Sequence, residues 1–233
     1  MKIIIIRHAE PDYSIDSLTE KGWREAELLA NRVIKMPIDD FYCSPLGRAK
    51  DTAKPTLEKL NKKAEILDWL HEFRGKIKSP FTGIDRLAWD LPPYLWCKEE
   101  RFYDINRWYE PEIIANGNFK EIYDATTEGV DNLLLRYGLK REGRLYRGGE
   151  DKTIALFCHF AMGITILSYL TGFSPIVAQN NFFMAPSSVT TLVTQKDTQD
   201  NLQFRAVSIG DISHLYEAGE PMSESGLYPD FEV

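Results

Sequence analysis

Hydrophobic and polar positions along the chain change period several times, and each change marks an element. Ile3–Ile6 is an unbroken β-branched run, which predicts a strand over Lys2–Ile6 buried on both faces, as in a parallel sheet. After Asp16-Ser-Leu-Thr-Glu-Lys-Gly, apolar Trp23, Ala26, Leu29, Ala30 and Val33 recur at helical spacing, with Thr19 placed to cap the helix. Asp40-Phe-Tyr-Cys-Ser predicts a second strand. A helix from about Pro45 follows, with Ser44 as its N-cap. Ala64–Leu67 predicts a short third strand. This alternation predicts an α/β fold: a three-layer sandwich with a mostly parallel central sheet and helices on both faces.

The pattern then loosens from about Lys76 to Gly117, where four prolines and three of the five tryptophans fall. Residues 76–118 are expected to form a mostly helical cap insertion within a single domain over 1–233. Its aromatics (Trp89, Tyr94, Trp96, Trp108, Tyr109) could line a pocket or simply make a small core. Periodicity returns as a helix over Phe119 to about Lys140, a loop over 141–151, and a buried strand over Thr153–Cys158. A helix over Met162–Leu170 and strands over Val189–Thr194 and Phe204–Ile209 complete the domain, and the tail from Glu217 is expected to be irregular.

Composition narrows the partners. A formal net charge of −7 argues against nucleic acid and against anionic membrane surfaces, so affinity for a phosphorylated ligand must come from a local cluster of cations. MKIIIIRH is too short in apolar length for a signal sequence, and no run approaches a membrane span. Cys43, Cys97 and Cys158 lack metal-ligand spacing, and the expectation is reduced thiols in a cytoplasmic protein. Oligomeric state is not readable.

The chemistry gathers where strands end. IIIIRH (3–8) and IALFCH (154–159) both close on histidine, and ligands of open α/β sheets collect at the carboxyl ends of strands. Either histidine alone could merely cap its strand; together they suggest one shared site. Arg48, in SPLGRAKDTA (44–53), falls within the first turn of its helix, near unpaired N–H groups, where a guanidinium favours an anion. The alternative is a surface arginine paired with Asp51. Glu72, in WLHEFRG (69–75), lies just past the third strand and could be a general acid if burial holds its proton, or a solvated loop residue. His8, Glu10 and Asp12 alternate, but no second ligand group supports a metal there.

RHAE, LTEKG, SPLGRAKDTA, the Glu72 loop, His159 and APSSVTTL (185–192) occur in the order of the motifs of the histidine phosphatase superfamily, the phosphoglycerate mutase-like group, branch 1. The resemblance covers roughly residues 1–75 and 150–195. It implies a metal- and cofactor-independent reaction in which His8 takes the phosphoryl group as a phosphohistidine. Arg7, Arg48 and His159 would hold its oxygens, and Glu72 would protonate the leaving alcohol. Ser14, Ala161 and Arg74 are further candidate phosphate or substrate contacts.

Departures bear on substrate. The glycine after the family's histidine is Ala9, Ser14 stands where mutase-type members carry an asparagine, and the gap from His8 to LTEKG is short. These favour hydrolysis of small phosphomonoesters over a mutase, with a catalytically idle, ligand-binding or partner-binding member as the remaining alternative. Neither GxGxxG nor GxxxxGK[ST] occurs.

Overall fold

The computed structural model describes residues 1–79 and 83–227. Eight strands form one sheet. In chain order the elements are β1 (Lys2–Arg7), the short pair β2 (Pro11–Asp12) and β3 (Ser17–Leu18), α1 (Glu20–Val33), β4 (Asp40–Cys43), α2 (Gly47–Leu60) and β5 (Ala64–Ile66). The insertion holds β6 (Lys76–Lys78), β7 (Asp85–Leu87), α3 (Pro93–Trp96) and α4 (Glu112–Ala115). Then come α5 (Phe119–Leu135), β8 (Leu139–Glu142), β9 (Leu145–Gly148), β10 (Thr153–Cys158), α6 (Phe160–Thr171), α7 (Pro175–Asn181), β11 (Val189–Lys196), β12 (Leu202–Asp211) and α8 (Ser213–Ala218). No helix among the described residues is long and apolar enough to cross a membrane.

The sheet order is β5-β4-β10-β1-β11-β12-β9-β8. Strands β5, β4, β10 and β1 are mutually parallel, and the other four extend the sheet by antiparallel pairing. The expected parallel core is thus half of a mixed sheet. Its central pair, β1 and β10, runs in register from Lys2↔Thr153 to Arg7↔Cys158, so His8 and His159 leave the sheet side by side. The alternation of a strand divides the isoleucines: Ile3 and Ile5 face the core that contains α6 and the insertion, while Ile4 and Ile6 face α1 and α2. Burial on both faces explains why this strand has no polar position between Lys2 and Arg7.

Thr19 caps α1 as expected, its hydroxyl accepting from Gly22 N at 3.0 Å. Helix α2 starts two residues later than predicted. Leu46 occupies the cap position without a side-chain bond, because Ser44 is drawn into contact with His159. The loop expected over 141–151 is instead largely the β8–β9 hairpin, and α5 stops at Leu135. The tail begins with the last turn of α8; its residues 228–233 lie outside the described ones.

In place of a mostly helical insertion there are short helical turns and the β6–β7 hairpin, with residues 80–82 outside the described ones. Lys76 and Asn118 tie its ends together: Lys76 N donates to Asn118 Oδ1 at 2.7 Å, and Asn118 N to Lys76 O at 3.2 Å. Trp96, Phe102, Trp108 and Ile114 pack into the same core as Leu70, Phe73 and α6, so most of the insertion's aromatics serve packing.

Two motif glycines let the segment after His8 fold back onto both helices. A Cβ on Gly22 would sit 2.1 Å from Glu10 O, and one on Gly47 would sit 2.1 Å from Asp16 O. Backbone cannot yield as a side-chain tip can. Gly47→Ala is therefore expected to destabilise the protein by about 1–3 kcal/mol, the usual cost of overpacking. Urea unfolding checks this, and Gly83→Ala, at a site with open space around it but φ +67°, shows the cost of backbone strain without crowding.

Candidate active site

His8 is almost fully buried, and its backbone is fixed on two sides: its N–H donates to Cys158 O at 2.9 Å and its carbonyl accepts from Ser187 N at 3.1 Å. The ring Nδ1 lies 2.8 Å from Ala9 O. A carbonyl only accepts, so Nδ1 carries the hydrogen and Nε2 keeps its lone pair. Arg48 Nε approaches that lone pair at 3.4 Å. Burial, then the charges of Arg7 and Arg48, push the His8 pKa well below the ordinary histidine value. The ring is held neutral, with one nitrogen available.

The His159 ring stands edge-on to His8, centroids 5.1 Å apart. Its Nε2 is 2.7 Å from Ser44 Oγ, which also accepts from Leu46 N at 3.2 Å. The serine hydrogen is then free to donate to Nε2, which leaves the hydrogen of His159 on Nδ1. That Nδ1 is buried without a hydrogen-bond partner among the described residues, and so is Arg7 Nε. Buried polar atoms are rarely left unpaired, and two in one site call for an acceptor between them. Burial and the nearby positive groups also hold the His159 pKa well down.

Arg7 departs from the expectation of a free phosphate clamp. Its Nη1 donates to Met184 O and its Nη2 to Ser225 O, both at 2.7 Å, with Phe160 and Phe183 against the guanidinium. Burial lowers its pKa to about 10, which still leaves it charged at neutral pH. Ser225 belongs to the tail, a contact that sequence reasoning missed. Arg48 lies in the first turn of α2 as expected, but its carboxylate partner is Asp16, at 2.5 Å, and not Asp51, which accepts from Ser17. Asp16 also accepts from Gly47 N at 2.7 Å, so it caps the helix end that the sequence had suggested for an anion.

Glu72 is half-buried, and its Oε1 accepts from Phe73 N at 2.9 Å and from Met162 N at 3.2 Å. It therefore caps the N-terminus of α6 from outside. Burial raises its pKa above the ordinary carboxyl value, with Arg7 and these N–H groups opposing. Its solvated-loop alternative does not hold.

The remaining candidates have surroundings of their own. The Ser14 hydroxyl donates to Asp12 at 2.6 Å in an exposed turn. Ala161 is fully buried in the first turn of α6, and Arg74 is exposed. Thr52 was missed: its Oγ1 accepts from Ala9 N at 2.9 Å and donates to Arg48 O at 2.7 Å, joining the loop after His8 to the arginine. Buried Glu25, also missed, accepts from Glu10 N at 2.8 Å. From the insertion, Trp89 packs edge-on to Phe160, the ring beside Arg7.

One atom each from His8, Glu72 and His159 lie within 4.8 Å of one another, a donor set that could hold a metal. The two guanidiniums whose charge bears on both rings oppose a cation there and favour an anion.

Residues 3–82 match the family model of the histidine phosphatase superfamily (branch 1). A 2,3-bisphosphoglycerate-dependent phosphoglycerate mutase of Thermoplasma acidophilum is 41% identical over 99 residues, which are 36% of this chain and 50% of that protein. A probable phosphatase of Schizosaccharomyces pombe is 37% identical over 67 residues, 25% of this chain and 32% of the relative. The matches thus span half or less of these curated relatives. Among solved structures, phosphoserine phosphatase from Entamoeba histolytica with 3-phosphoglyceric acid superposes with a TM-score of 0.60 at 20% identity, covering 92% of this chain and 98% of that one. A mycobacterial glucosyl-3-phosphoglycerate phosphatase gives 0.59 at 18% identity, covering 89% and 97%. These likenesses establish the fold, and the motif-bearing match to the family model covers residues 3–82.

Proposed function

We propose that the protein is an acid-phosphatase-type phosphomonoesterase acting on small phosphorylated metabolites, without a metal or other cofactor. The observation that carries the reading is His8 itself: a neutral ring with its Nδ1 hydrogen held by Ala9 O and its Nε2 lone pair facing Arg48 and His159. A nucleophile needs such a lone pair, and a phosphoryl group needs such donors around it.

His8 Nε2 attacks phosphorus and forms an N–P bond as the P–O bond to the alcohol breaks. The Glu72 carboxyl proton passes to the leaving oxygen. Glu72, now a carboxylate, takes a proton from water, whose oxygen attacks phosphorus. The N–P bond then breaks, its electron pair returns to Nε2 and inorganic phosphate leaves. Arg48, the Arg7 charge with its unpaired Nε, and His159 Nδ1 stabilise the transferring oxygens. The insertion acts as a cap that brings Trp89 toward the site, within a single domain.

Phosphoglycerate mutase-type transfer is the second reading, supported by the Thermoplasma relative. Against it, the β2–β3 turn leaves Tyr13 66% and Ile15 68% exposed, with Tyr13 over the Arg48 guanidinium 5.4 Å away, so this wall is open to water. A mutase must retain its phosphorylated intermediate. On 3-phosphoglycerate, free phosphate supports the phosphatase and an isomer supports the mutase.

His8→Ala is expected to abolish p-nitrophenyl phosphate hydrolysis, and Arg48→Ala to lower it about 10²–10³-fold, as for other preorganised donors. Unchanged turnover in His8→Ala overturns the mechanism, and loss of turnover on treatment with EDTA overturns its metal independence.

The pKa directions also fix a pH profile. His8 must be neutral, and its lowered pKa keeps it so well below the ordinary histidine range. Glu72 must start protonated, and its raised pKa extends that form upward in pH. Activity on alkyl phosphates is expected to fall at low pH as His8 protonates, and at high pH as Glu72 ionises. Glu72→Gln removes the upper limb and slows alkyl esters far more than p-nitrophenyl phosphate, whose leaving group needs no acid. Equal slowing of the two alcohol-release bursts, which precede the water step that Glu72 serves for both substrates, would remove Glu72 from the role of acid.

A further inference from the structure

The His8 carbonyl accepts from the N–H of Ser187, a fully buried residue in the turn that precedes β11. The same turn holds the preceding residue twice: Ser188 O accepts from Arg7 N at 3.2 Å and Met184 O from Arg7 Nη1. Ser187 has φ 59°, a left-handed conformation that a serine adopts at a cost and keeps only when its surroundings hold it. Its N–H to His8 is one such hold. The other is a contact at 3.2 Å between Ser187 Oγ and Nε2 of His214, a buried residue in α8.

The direction of that bond follows from the next partner. Arg32 Nη1 lies 3.5 Å from His214 Nδ1, and a guanidinium only donates. Nδ1 therefore accepts, Nε2 carries the hydrogen, and Nε2–H donates to Ser187 Oγ. Arg32 is itself fixed by Asp211, through Oδ2 at 2.7 Å and the carbonyl at 3.3 Å. Burial and the Arg32 charge lower the His214 pKa to about 4, so the ring stays neutral and this direction is kept at neutral pH. The line Asp211–Arg32–His214–Ser187 thus ends on the backbone of the nucleophile, and none of these side chains is among the groups that reach the phosphoryl site.

We propose that Ser187 and His214 are positioning residues for His8: the His214–Ser187 bond holds the strained turn whose N–H fixes the His8 backbone, and with it the aim of Nε2. The inference rests on His8 being the nucleophile, and extends the site to a turn and a C-terminal helix on the far side of the chain's sequence. Misplacement of reacting groups by about 1 Å can cost about a hundredfold in rate.

The test uses the full chain and p-nitrophenyl phosphate. Ser187→Gly can still adopt the left-handed turn, so it folds, but deleting Oγ releases the turn from His214 and glycine's wider backbone freedom lets it move. It is expected to lower kcat about ten- to a hundredfold while KM stays within about twofold, since no substrate contact is lost. His214→Ala should do the same, and His214→Gln, whose amide N–H can reach Ser187, should recover most of the loss. The Ser187→Gly/His214→Ala double variant should be no worse than the poorer single one. With only four histidines, the ¹⁵N ring spectrum gives a readout that needs no turnover. The Nδ1 and Nε2 signals of His8 should shift or broaden in Ser187→Gly. An unchanged His8 spectrum in that variant overturns the proposal, whatever the turnover. A His8 spectrum perturbed in Ser187→Gly, with a wild type that hydrolyses no phosphomonoester, supports the positioning and overturns the phosphatase reading instead.

Discussion

The 2.8 Å contact between His8 Nδ1 and the Ala9 carbonyl settles which nitrogen of the ring can react, and much of the surrounding structure exists to keep it in place. A histidine one residue beyond a strand would ordinarily rotate and exchange tautomers. Here Ile3–Ile6 bury β1 on both faces, β10 holds the His8 N–H, Thr52 holds the Ala9 N–H, and Glu25 holds the Glu10 N–H of the same peptide group as the accepting carbonyl, which therefore cannot turn away. Gly22 and Gly47 allow the following segment to press onto α1 and α2 closely enough for those bonds to form. The hydrophobic strand and the polar site are one construction: rigidity on the apolar side becomes a fixed lone pair on the other.

The same constraint explains the charges. A chain of net charge −7 keeps two buried guanidiniums beside one another, each matched by groups that do not cancel it at the site. Arg7 is held by two backbone carbonyls and two aromatic rings, partners that satisfy its hydrogens while leaving its full charge. Arg48 has a carboxylate, Asp16, but that carboxylate is partly exposed and shared with Gly47 N. Screening by water weakens such a pair, so the positive field toward His8 and His159 persists. That field is part of what keeps both rings neutral.

What was legible in the sequence was whatever a local period or a strand end encodes. The β1 run, the β10 run, the Thr19 cap and the position of Arg48 in the first turn of α2 all follow from neighbours within a few residues. Two parallel strands in register then bring His8 and His159 together, so the core of the site could be read. What could not be read depends on contacts between distant segments. Asp16 replaces Asp51 because the chain folds back onto α2, and Ser44 forsakes its capping role because His159 arrives beside it. The β8–β9 hairpin has few apolar residues and many charged ones, so it resembles a loop until its partner β12 is present. Ser187 in a left-handed turn carries no signal that separates it from any serine before a strand.

The helix ends carry the remaining consequence. The sequence suggests that the N-terminus of α2 would receive the phosphate, yet side-chain carboxylates already reach both helices at the site: Asp16 bonds Gly47 N and Glu72 bonds Met162 N. In the proposed reaction the helix ends would serve the acid and the arginine more than the phosphate, which would be left to Arg48, Arg7 Nε and His159 Nδ1. For Glu72 this is a useful arrangement. Burial alone would keep it protonated and make it a poor base after the first step. The Met162 and Phe73 N–H groups, with Arg7, stabilise the carboxylate it becomes. A group asked to give a proton and then take one back needs neither form to dominate, and the opposing effects of burial and of a helix end supply that balance.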